Sequence, residues 1–209
     1  MHEILLIGNG SIANKHLQIL RARFDLNVQQ ISSRVIGSGR LGAELEQIKS
    51  YRKFFTHIIF ANPCTYREPI LNSLDFTDTN LFFEKPFAPD IETCKRLIGT
   101  LKGVSKRVAV GYNLRYLKNI KIIKKIINDE SFGKVLKLRC RVAQNLETWR
   151  PNAYQNSVSA QRKLGGGAVL ELSHEIDYLL EFFHELKVLS SNSSRLSSLN
   201  IDVEDSAEV

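Results

Sequence analysis

His174 lies three residues after Glu171 and three residues before Asp177. Residues three apart on a helix share a face, so a helix here would bring one imidazole beside two carboxylates. A carboxylate that accepts a hydrogen bond from one ring nitrogen fixes the tautomer and leaves the other nitrogen free to move a proton. The spacing therefore predicts a general acid–base centre, with either Glu171 or Asp177 as partner. The alternative for His174 is a helix-capping or core histidine.

A glycine-rich segment follows the first apolar run of the chain. Gly8, Gly10 and Ala13 form the pattern G-x-G-x-x-A between a predicted strand and a predicted helix. The first glycine permits a tight turn, the second lets a pyrophosphate approach the main chain, and the alanine allows close helix packing. The alternative is a glycine-rich turn without a ligand. The cofactor-binding residues expected in this turn are Gly8, Asn9, Gly10, Ser11 and Ile12.

The end of the second predicted strand bears on the choice of cofactor. An acidic residue is expected there if the ribose 2′-hydroxyl of NAD is bound. The sequence instead has Ile31, Ser32, Ser33 and Arg34, without a carboxylate. Hydroxyl groups followed by arginine suit the 2′-phosphate of NADP, so Ser33 and Arg34 favour NADP over NAD. The alternative is that both are ordinary loop residues and that selectivity lies elsewhere.

Strands and helices alternate in the first half of the chain. This alternation predicts an α/β domain, residues 1–111, with a doubly wound parallel sheet of the Rossmann type. Lys85 follows the fourth strand, and ligands of such sheets bind beyond the carboxyl ends of the strands. The predicted strands are Glu3–Ile7, Val28–Ser32, His57–Ala61, Asn80–Phe83 and Arg107–Gly111. The predicted helices begin near Ile12 and cover Ala43–Lys49, Glu68–Leu74 and Ile91–Leu101, with a loop at Gly37–Gly42.

The pattern changes after about Gly111. A helix is predicted over Asn119–Asn128, and apolar and basic residues then alternate through Lys134–Val142, as in a strand covered on one face. Helical spacing returns in Ala168–Phe183, and Leu186–Ser190 resembles another strand. We therefore expect residues 112–209 to form a shortened α+β domain with a partial, mostly antiparallel sheet.

Composition limits the classes of partner. The net charge of +7 is spread along the chain, which indicates a solvated basic surface or attraction of anionic small molecules rather than nucleic-acid binding. No apolar run reaches the roughly 20 residues of a membrane span. The N-terminus lacks the features of a secretory signal. The three cysteines have no metal-like spacing, so we expect a cytoplasmic protein without a metal site.

Several ordered motifs resemble the glucose–fructose oxidoreductase/inositol dehydrogenase (Gfo/Idh/MocA) family. The resemblance implies an NAD(P)-dependent oxidoreductase that transfers a hydride between nicotinamide and a sugar, sugar-nucleotide or cyclitol. It further implies that Lys85 lies beside the nicotinamide, orients the substrate hydroxyl and assists proton transfer with His174. The alternative for Lys85 is a solvated surface charge. The motifs are Ala61–Pro63, Glu84–Pro86, Gly111–Tyr116, Phe132–Val135, Trp149–Pro151 and Gly165–Asp177.

The same resemblance assigns further residues. Arg67 stands where relatives often carry histidine, and the spacing from Glu171 to His174 is one residue shorter than in many relatives. His16 lies on the apolar face of the first helix and is expected to pack. Cofactor contacts are expected at Asn62, Pro63, Glu84 and Lys85. Substrate contacts are expected at Asn113, Arg115, Arg150, Tyr154, Arg162 and His174.

Members of this family are longer, so the resemblance presents this chain as shortened at its C-terminal end. An open sheet leaves unpaired strand edges, which favours a homo-oligomer that covers them through the second domain. The expected role lies in carbohydrate or surface-glycan metabolism. The alternative function is a catalytically silent, truncated nucleotide-binding or assembly protein.

Overall fold

The computed structural model describes residues 3–24, 26–32, 55–103, 105–151 and 154–209. The chain divides into two compact units, Met1–Gly111 and Tyr112–Val209, which are described separately below. Ser33, Arg34, the predicted loop Gly37–Gly42 and the predicted helix Ala43–Lys49 lie outside the described residues.

The first unit contains a parallel five-stranded sheet with the order β2-β1-β3-β4-β5. Because β2 and β3 lie on opposite sides of β1, the order reverses between β1 and β3, and ligands of such sheets bind in the crevice beyond this point. The register places the last residues of all five strands in one row across the sheet. The strands are β1 Glu3–Ile7, β2 Asn27–Ile31, β3 His57–Phe60, β4 Asn80–Phe83 and β5 Arg107–Val110.

Both faces of the central strands are buried. Successive side chains of a strand point to opposite faces, so Leu5 and Ile7 pack into one hydrophobic cluster while Ile4 and Leu6 pack into another. Each such buried side chain contributes roughly 1.5–3 kcal/mol to stability. Helix α1 (Ser11–Phe24) covers the face of Ile4 and Leu6. Helices α2 (Arg67–Leu71) and α3 (Ile91–Leu101) cover the other face.

Helix α3 has a side-chain cap at its N-terminus. The backbone of Asp90 is extended, and its Oδ1 atom accepts a hydrogen bond of 2.7 Å from the backbone N–H of Thr93. This bond satisfies one of the N–H groups that a helix start leaves without a partner. The cap fixes where the chain turns after the loop that follows β4.

The second unit is mostly helices and turns. Its hydrophobic cluster joins the buried residues Ala160, Ile201 and Val203. One antiparallel pair is present, β6 (Asn192–Ser194) with β7 (Ser206–Glu208). The helices are α4 Lys118–Ile127, α5 Leu146–Trp149, α6 Ala168–Glu171 and α7 His174–Phe182. No helix among the described residues of either unit is long and apolar enough to cross a membrane.

Two predicted strands of the second unit are wrong. Neither Lys134–Val142 nor Leu186–Ser190 is paired with any described residue, and the antiparallel pair comes from other segments. Alternation of apolar and polar residues is a local property, whereas a strand also needs a neighbour for its backbone groups. Consistent with this, Leu136 is 96% exposed and Leu189 is 88% exposed.

The predicted helix Ala168–Phe183 is two helices. The chain leaves helical geometry at Leu172, and α7 begins at His174. The hydroxyl of Ser173 donates a hydrogen bond of 3.0 Å to the carbonyl of Leu170, and such local side-chain bonds compete with the helical pattern. Glu171 and His174 therefore belong to different helices, while His174 and Asp177 share α7.

Candidate active site

The turn between β1 and α1 packs against the end of β3. Gly8 has a φ of 130°, and a Cβ atom added there would lie 2.5 Å from the carbonyl oxygen of Ala61. Its backbone N–H donates a 2.8 Å hydrogen bond to the carbonyl of Ile31. A side chain at position 8 is excluded both by the left-handed φ and by this contact. Glycine at this position therefore lets the turn and β3 approach each other closely.

The second glycine of the turn faces open space. Apart from its chain neighbours, no heavy atom lies within 4 Å of a Cβ atom added to Gly10. Asn9, Ser11 and Ile12 are exposed beside it, at the N-terminus of the 14-residue helix α1. Unpaired amides and the positive end of the helix dipole make such a terminus attractive to anions. The turn thus fits the pyrophosphate of a dinucleotide.

Asn62 follows β3 directly beside this turn. It is 5% exposed, and its side-chain Oδ1 and Nδ2 atoms have no hydrogen-bond partner in the structure. Buried amides are nearly always bonded, and an unsatisfied one costs about 1–3 kcal/mol. The backbone nitrogen of Asn62 would lie 3.2 Å from a Cβ atom on Gly8. Asn62 therefore holds an unused donor and acceptor next to the predicted cofactor turn, whereas neighbouring Pro63 has only a main-chain acceptor to offer.

Glu84, Lys85 and Pro86 follow β4 at the same edge of the sheet. The backbone N–H of Glu84 donates a 2.9 Å hydrogen bond to the carbonyl of Phe60, so the segment begins in register with the end of β3. The Lys85–Pro86 peptide bond is cis, and Lys85 is half-buried. The Glu84 carboxylate accepts a 2.6 Å hydrogen bond from Nε2 of His16. We call residues 84–87 the EKPF loop.

Arg67 holds the EKPF loop from below. The side chain is 1% exposed, and its guanidinium donates to the carbonyls of Pro86, of Phe87 at 2.9 Å and of Asn62 at 3.1 Å. Burial lowers the pKa of Arg67 to about 10, against the opposing influence of Cys64 and Glu84, so the group stays charged at neutral pH. The planar fork of arginine suits several acceptors at once. One side chain thus joins the segments that follow β3 and β4.

In the second unit, Asp177 binds Arg115. Asp177 is 7% exposed, and its Oδ2 atom lies 2.7 Å from Nε of Arg115. The bidentate pair raises the pKa of Arg115, first through the hydrogen bond with Asp177. Glu181 binds the same arginine at 3.2 Å and also binds Lys124. These contacts connect α7 with α4 and the 3₁₀ turn Asn113–Tyr116, where Asn113 is exposed.

Glu171 lies in a second polar cluster. Its Oε2 atom accepts a 2.6 Å hydrogen bond from the hydroxyl of Ser159 and lies 3.5 Å from Nη2 of Arg150. The Arg150 guanidinium stacks on the ring of Trp149 at 4.2 Å. Glu171, Ser159 and Trp149 line a cavity of about 520 Å³ within the second unit. A pocket with one aromatic wall and a few fixed polar groups suits a small polar ligand.

The remaining predicted substrate residues have structural partners. The Tyr154 hydroxyl accepts a 3.1 Å hydrogen bond from the backbone N–H of Asn200, and Arg162 binds Asp202 through its backbone and side chain. His174 is half-buried at the start of α7, with its ring 5.7 Å from that of Tyr112 in an edge-to-face arrangement.

The structure therefore gathers the predicted residues within each unit. Gly8, Asn62, Glu84 and Lys85 share the carboxyl edge of the parallel sheet. Arg150 and Glu171 meet through Ser159, and Arg115 meets Asp177. Sequence reasoning missed the bridging role of Ser159, the clamp formed by Arg67 and the polar contact of His16, which was expected only to pack. The only advance signal was the unusual residue at position 67.

Comparison with known proteins agrees with this arrangement. A sequence profile of the GFO/IDH/MocA C-terminal domain matches residues 120–209. Glucose-6-phosphate 3-dehydrogenase of Bacillus subtilis is 25% identical over 224 residues, covering 100% of this chain and 61% of that protein. The chain belongs to the Gfo/Idh/MocA family. As a member of that family, it spans less than two thirds of the length of this relative.

Solved structures share the fold of this Gfo/Idh/MocA chain. An NAD-binding protein from Listeria innocua superposes with a TM-score of 0.73 at 21% identity, covering 99% of this chain and 60% of its own. The WlbA dehydrogenase from Bordetella pertussis, solved with NADH and UDP-GlcNAcA, has a TM-score of 0.72 at 18% identity. It covers 98% of this chain and 64% of its own. At these identities the similarity establishes the fold.

Proposed function

We propose that this protein is an NAD(P)-dependent oxidoreductase that acts on the CH–OH group, or the corresponding ketone, of a sugar, sugar-nucleotide or cyclitol. The observation that carries this proposal is the shared edge in the first unit. There, the open Gly8–Gly10 turn, the unsatisfied amide of Asn62 and the clamped EKPF loop follow adjacent strands. Family membership and the dehydrogenase relative support the same reaction class.

Each unit has a proposed task. Residues 1–111 bind the cofactor and residues 112–209 bind the substrate. NADP is the favoured cofactor because Ser33 and Arg34 replace the acidic residue expected for NAD. NAD is the competing choice, since the WlbA dehydrogenase of similar fold was solved with NADH.

The proposed chemistry uses few groups of this chain. Bound nicotinamide supplies the hydride donor or acceptor. The Lys85 ammonium donates a hydrogen bond to the substrate oxygen, and His174 takes or returns the hydroxyl proton as general acid–base. Arg115 fixes Asp177 on α7, while Ser159 and Arg150 fix Glu171 beside the cavity. These carboxylates are accordingly proposed to orient His174 and the substrate.

The substrate class and assembly are part of the proposal. A sugar-type ligand fits a cavity that combines the Trp149 ring with the polar groups of Ser159 and Glu171. The WlbA dehydrogenase of similar fold was solved with UDP-GlcNAcA, which makes a sugar nucleotide the first candidate. We also propose a cytoplasmic homo-oligomer that covers the exposed segments 134–142 and 186–190.

The unpaired segments also favour one competing function. A catalytically silent nucleotide-binding or assembly protein would keep the first unit intact while exposing apolar residues such as Leu136 and Leu189 in the second. The two functions differ in turnover and not in cofactor binding. A test must therefore measure both.

Titration with NADPH and NADH, followed by nicotinamide fluorescence and thermal unfolding, tests cofactor binding. Saturable binding with a higher melting temperature supports the proposal, and a folded protein that binds neither cofactor refutes it. Sugar nucleotides, sugar phosphates and cyclitols are then screened for change in nicotinamide absorbance. Lys85→Met is the matched control, expected to bind cofactor but not to turn over. Binding without turnover in wild type would favour the silent protein.

A further inference from the structure

His16 makes a contact that joins the cofactor helix to the EKPF loop. Its Nε2 atom lies 2.6 Å from Oε1 of Glu84, and the side chains are 24% and 16% exposed. An ionised carboxylate can only accept a hydrogen bond, so the imidazole donates. The two residues are 68 positions apart and lie on different elements. This is a tertiary contact between α1 and the segment that follows β4.

The surroundings of His16 fix its ring. The residue lies in the second turn of α1, the helix that begins at the dinucleotide turn. Its ring meets the edge of the Phe82 ring at 5.6 Å, and Phe82 belongs to β4. A histidine held by an aromatic neighbour on one side and a carboxylate on the other has little rotamer freedom. Movement of α1 is therefore passed to Glu84 with little slack.

Glu84 is confined as well. Its carboxyl carbon would lie 3.4 Å from a Cβ atom on Gly111, and the buried positive charge of Arg67 is close enough to interact with it. Glu84 precedes Lys85 directly, and the carbonyls that follow Lys85 are held by Arg67. With both flanks of Lys85 restrained, the direction of its backbone depends on the His16–Glu84 bond.

We propose that His16 is a positioning residue that couples the dinucleotide turn to Lys85 through Glu84. This inference rests on the proposed function, because it gives Lys85 the role described above. When a ligand engages the N-terminus of α1, His16 holds Glu84 and thereby keeps Lys85 in the orientation that serves the substrate oxygen. His16 itself touches neither cofactor nor substrate. Loss of the contact leaves the cofactor turn intact and disorients Lys85.

The test compares His16→Leu, which removes the donor, with His16→Gln, which keeps an amide donor at a similar reach. The matched control is His184→Leu, at an exposed histidine of the second unit. Lysines are labelled by reductive ¹³C-methylation, and Lys85 is identified as the signal missing from Lys85→Arg. The readouts are the Lys85 chemical shift with and without NADPH or NADH, cofactor affinity and melting temperature.

The expected result is a shifted Lys85 signal in His16→Leu, with its response to cofactor lost while cofactor still binds. His16→Gln restores the wild-type signal, and His184→Leu leaves it unchanged. An unshifted Lys85 signal in folded His16→Leu overturns the inference. If His16→Leu does not fold, Glu84→Gln breaks the same contact and is judged by the same shift. If wild type binds no cofactor, the proposed function fails, and the shift in free protein still decides whether His16 positions Lys85.

Discussion

Nη1 of Arg67 lies 2.9 Å from the main-chain oxygen of Phe87, across 20 residues of sequence. The same guanidinium binds the main-chain oxygens of Pro86 and Asn62. Lysine keeps the charge but cannot serve three carbonyls with one ammonium, and a buried acceptor left unpaired costs about 1–3 kcal/mol. We expect Arg67→Lys to lower the free energy of unfolding by about 2 kcal/mol.

Urea unfolding measures this change, and Lys95→Arg is the matched control. Lys95 is exposed and pairs only with neighbouring Glu92 on the surface of α3, so the reverse exchange should leave stability nearly unchanged. Equal stability of Arg67→Lys and wild type would show that the clamp does not support the fold. Arg67→His, the residue common in relatives, should behave like Arg67→Lys because imidazole has at most two donors.

The two glycines of the dinucleotide turn should respond differently to alanine. Gly8→Ala brings a Cβ atom to 2.5 Å from the Ala61 oxygen at a φ of 130°, so we expect loss of both stability and cofactor binding. Gly10→Ala meets no atom within 4 Å, so its melting temperature should match wild type while cofactor affinity falls. Thermal unfolding and NADPH fluorescence separate the two effects. Unimpaired binding by Gly10→Ala would place the pyrophosphate elsewhere.

The Arg115–Asp177 pair should stabilise the second unit. Asp177→Asn leaves a buried amide beside an arginine that is 40% exposed, so the loss is smaller than for a fully buried ion pair, about 1–2 kcal/mol. A double-mutant cycle with Arg115→Gln isolates the interaction. Urea unfolding of the four proteins provides the measurement. Additive effects of the two substitutions would mean that the pair contributes no coupling energy.

Stability should depend on pH through the cap of α3. The hydrogen bond from the Thr93 backbone lowers the pKa of Asp90 below its usual value. A lowered carboxyl pKa contributes stability that is present above the unfolded pKa of about 3.9 and is lost as pH falls through the folded pKa. Asp90→Ala should therefore be destabilised relative to wild type at pH 6, with a smaller difference below about pH 4.

Asp90→Asn is the control for this experiment. Asparagine accepts the same bond from Thr93 but does not titrate, so the difference between Asp90→Asn and Asp90→Ala should not change with pH. Urea midpoints at pH 6 and 3.5 give the comparison. If wild type and Asp90→Ala keep a constant difference at both values, ionisation of Asp90 plays no part in the cap.

The sequence predicted the parallel sheet well because its signals are local. Buried strands appear as short apolar runs, and the bounds of β1, β4 and α3 agree with the predicted ones. The second unit was harder, since the alternation in 134–142 reports a possible face but not a partner strand. The break before His174 depends on one serine hydroxyl, which no helical periodicity records.

The candidate site divides in the same way. The glycine turn and the residues after β4 have motifs, because a required backbone shape restricts the residue type. The Arg67 clamp has none, because its acceptors are main-chain oxygens that every residue carries. His16 was predicted to pack from the apolar face of α1, and the bond to Glu84 became visible only when residues 68 positions apart were brought together.

The close approach of Gly8 to Ala61 has a consequence for protein engineering. Since the carbonyl of Ala61 occupies the space of a side chain at position 8, the turn after β1 and the segment after β3 form one fitted part. Transplanting the glycine turn alone into another sheet would leave it without its matching surface. A transferable nucleotide-binding module from this protein would therefore have to include Ala61 and Asn62, although more than fifty residues separate them from the turn.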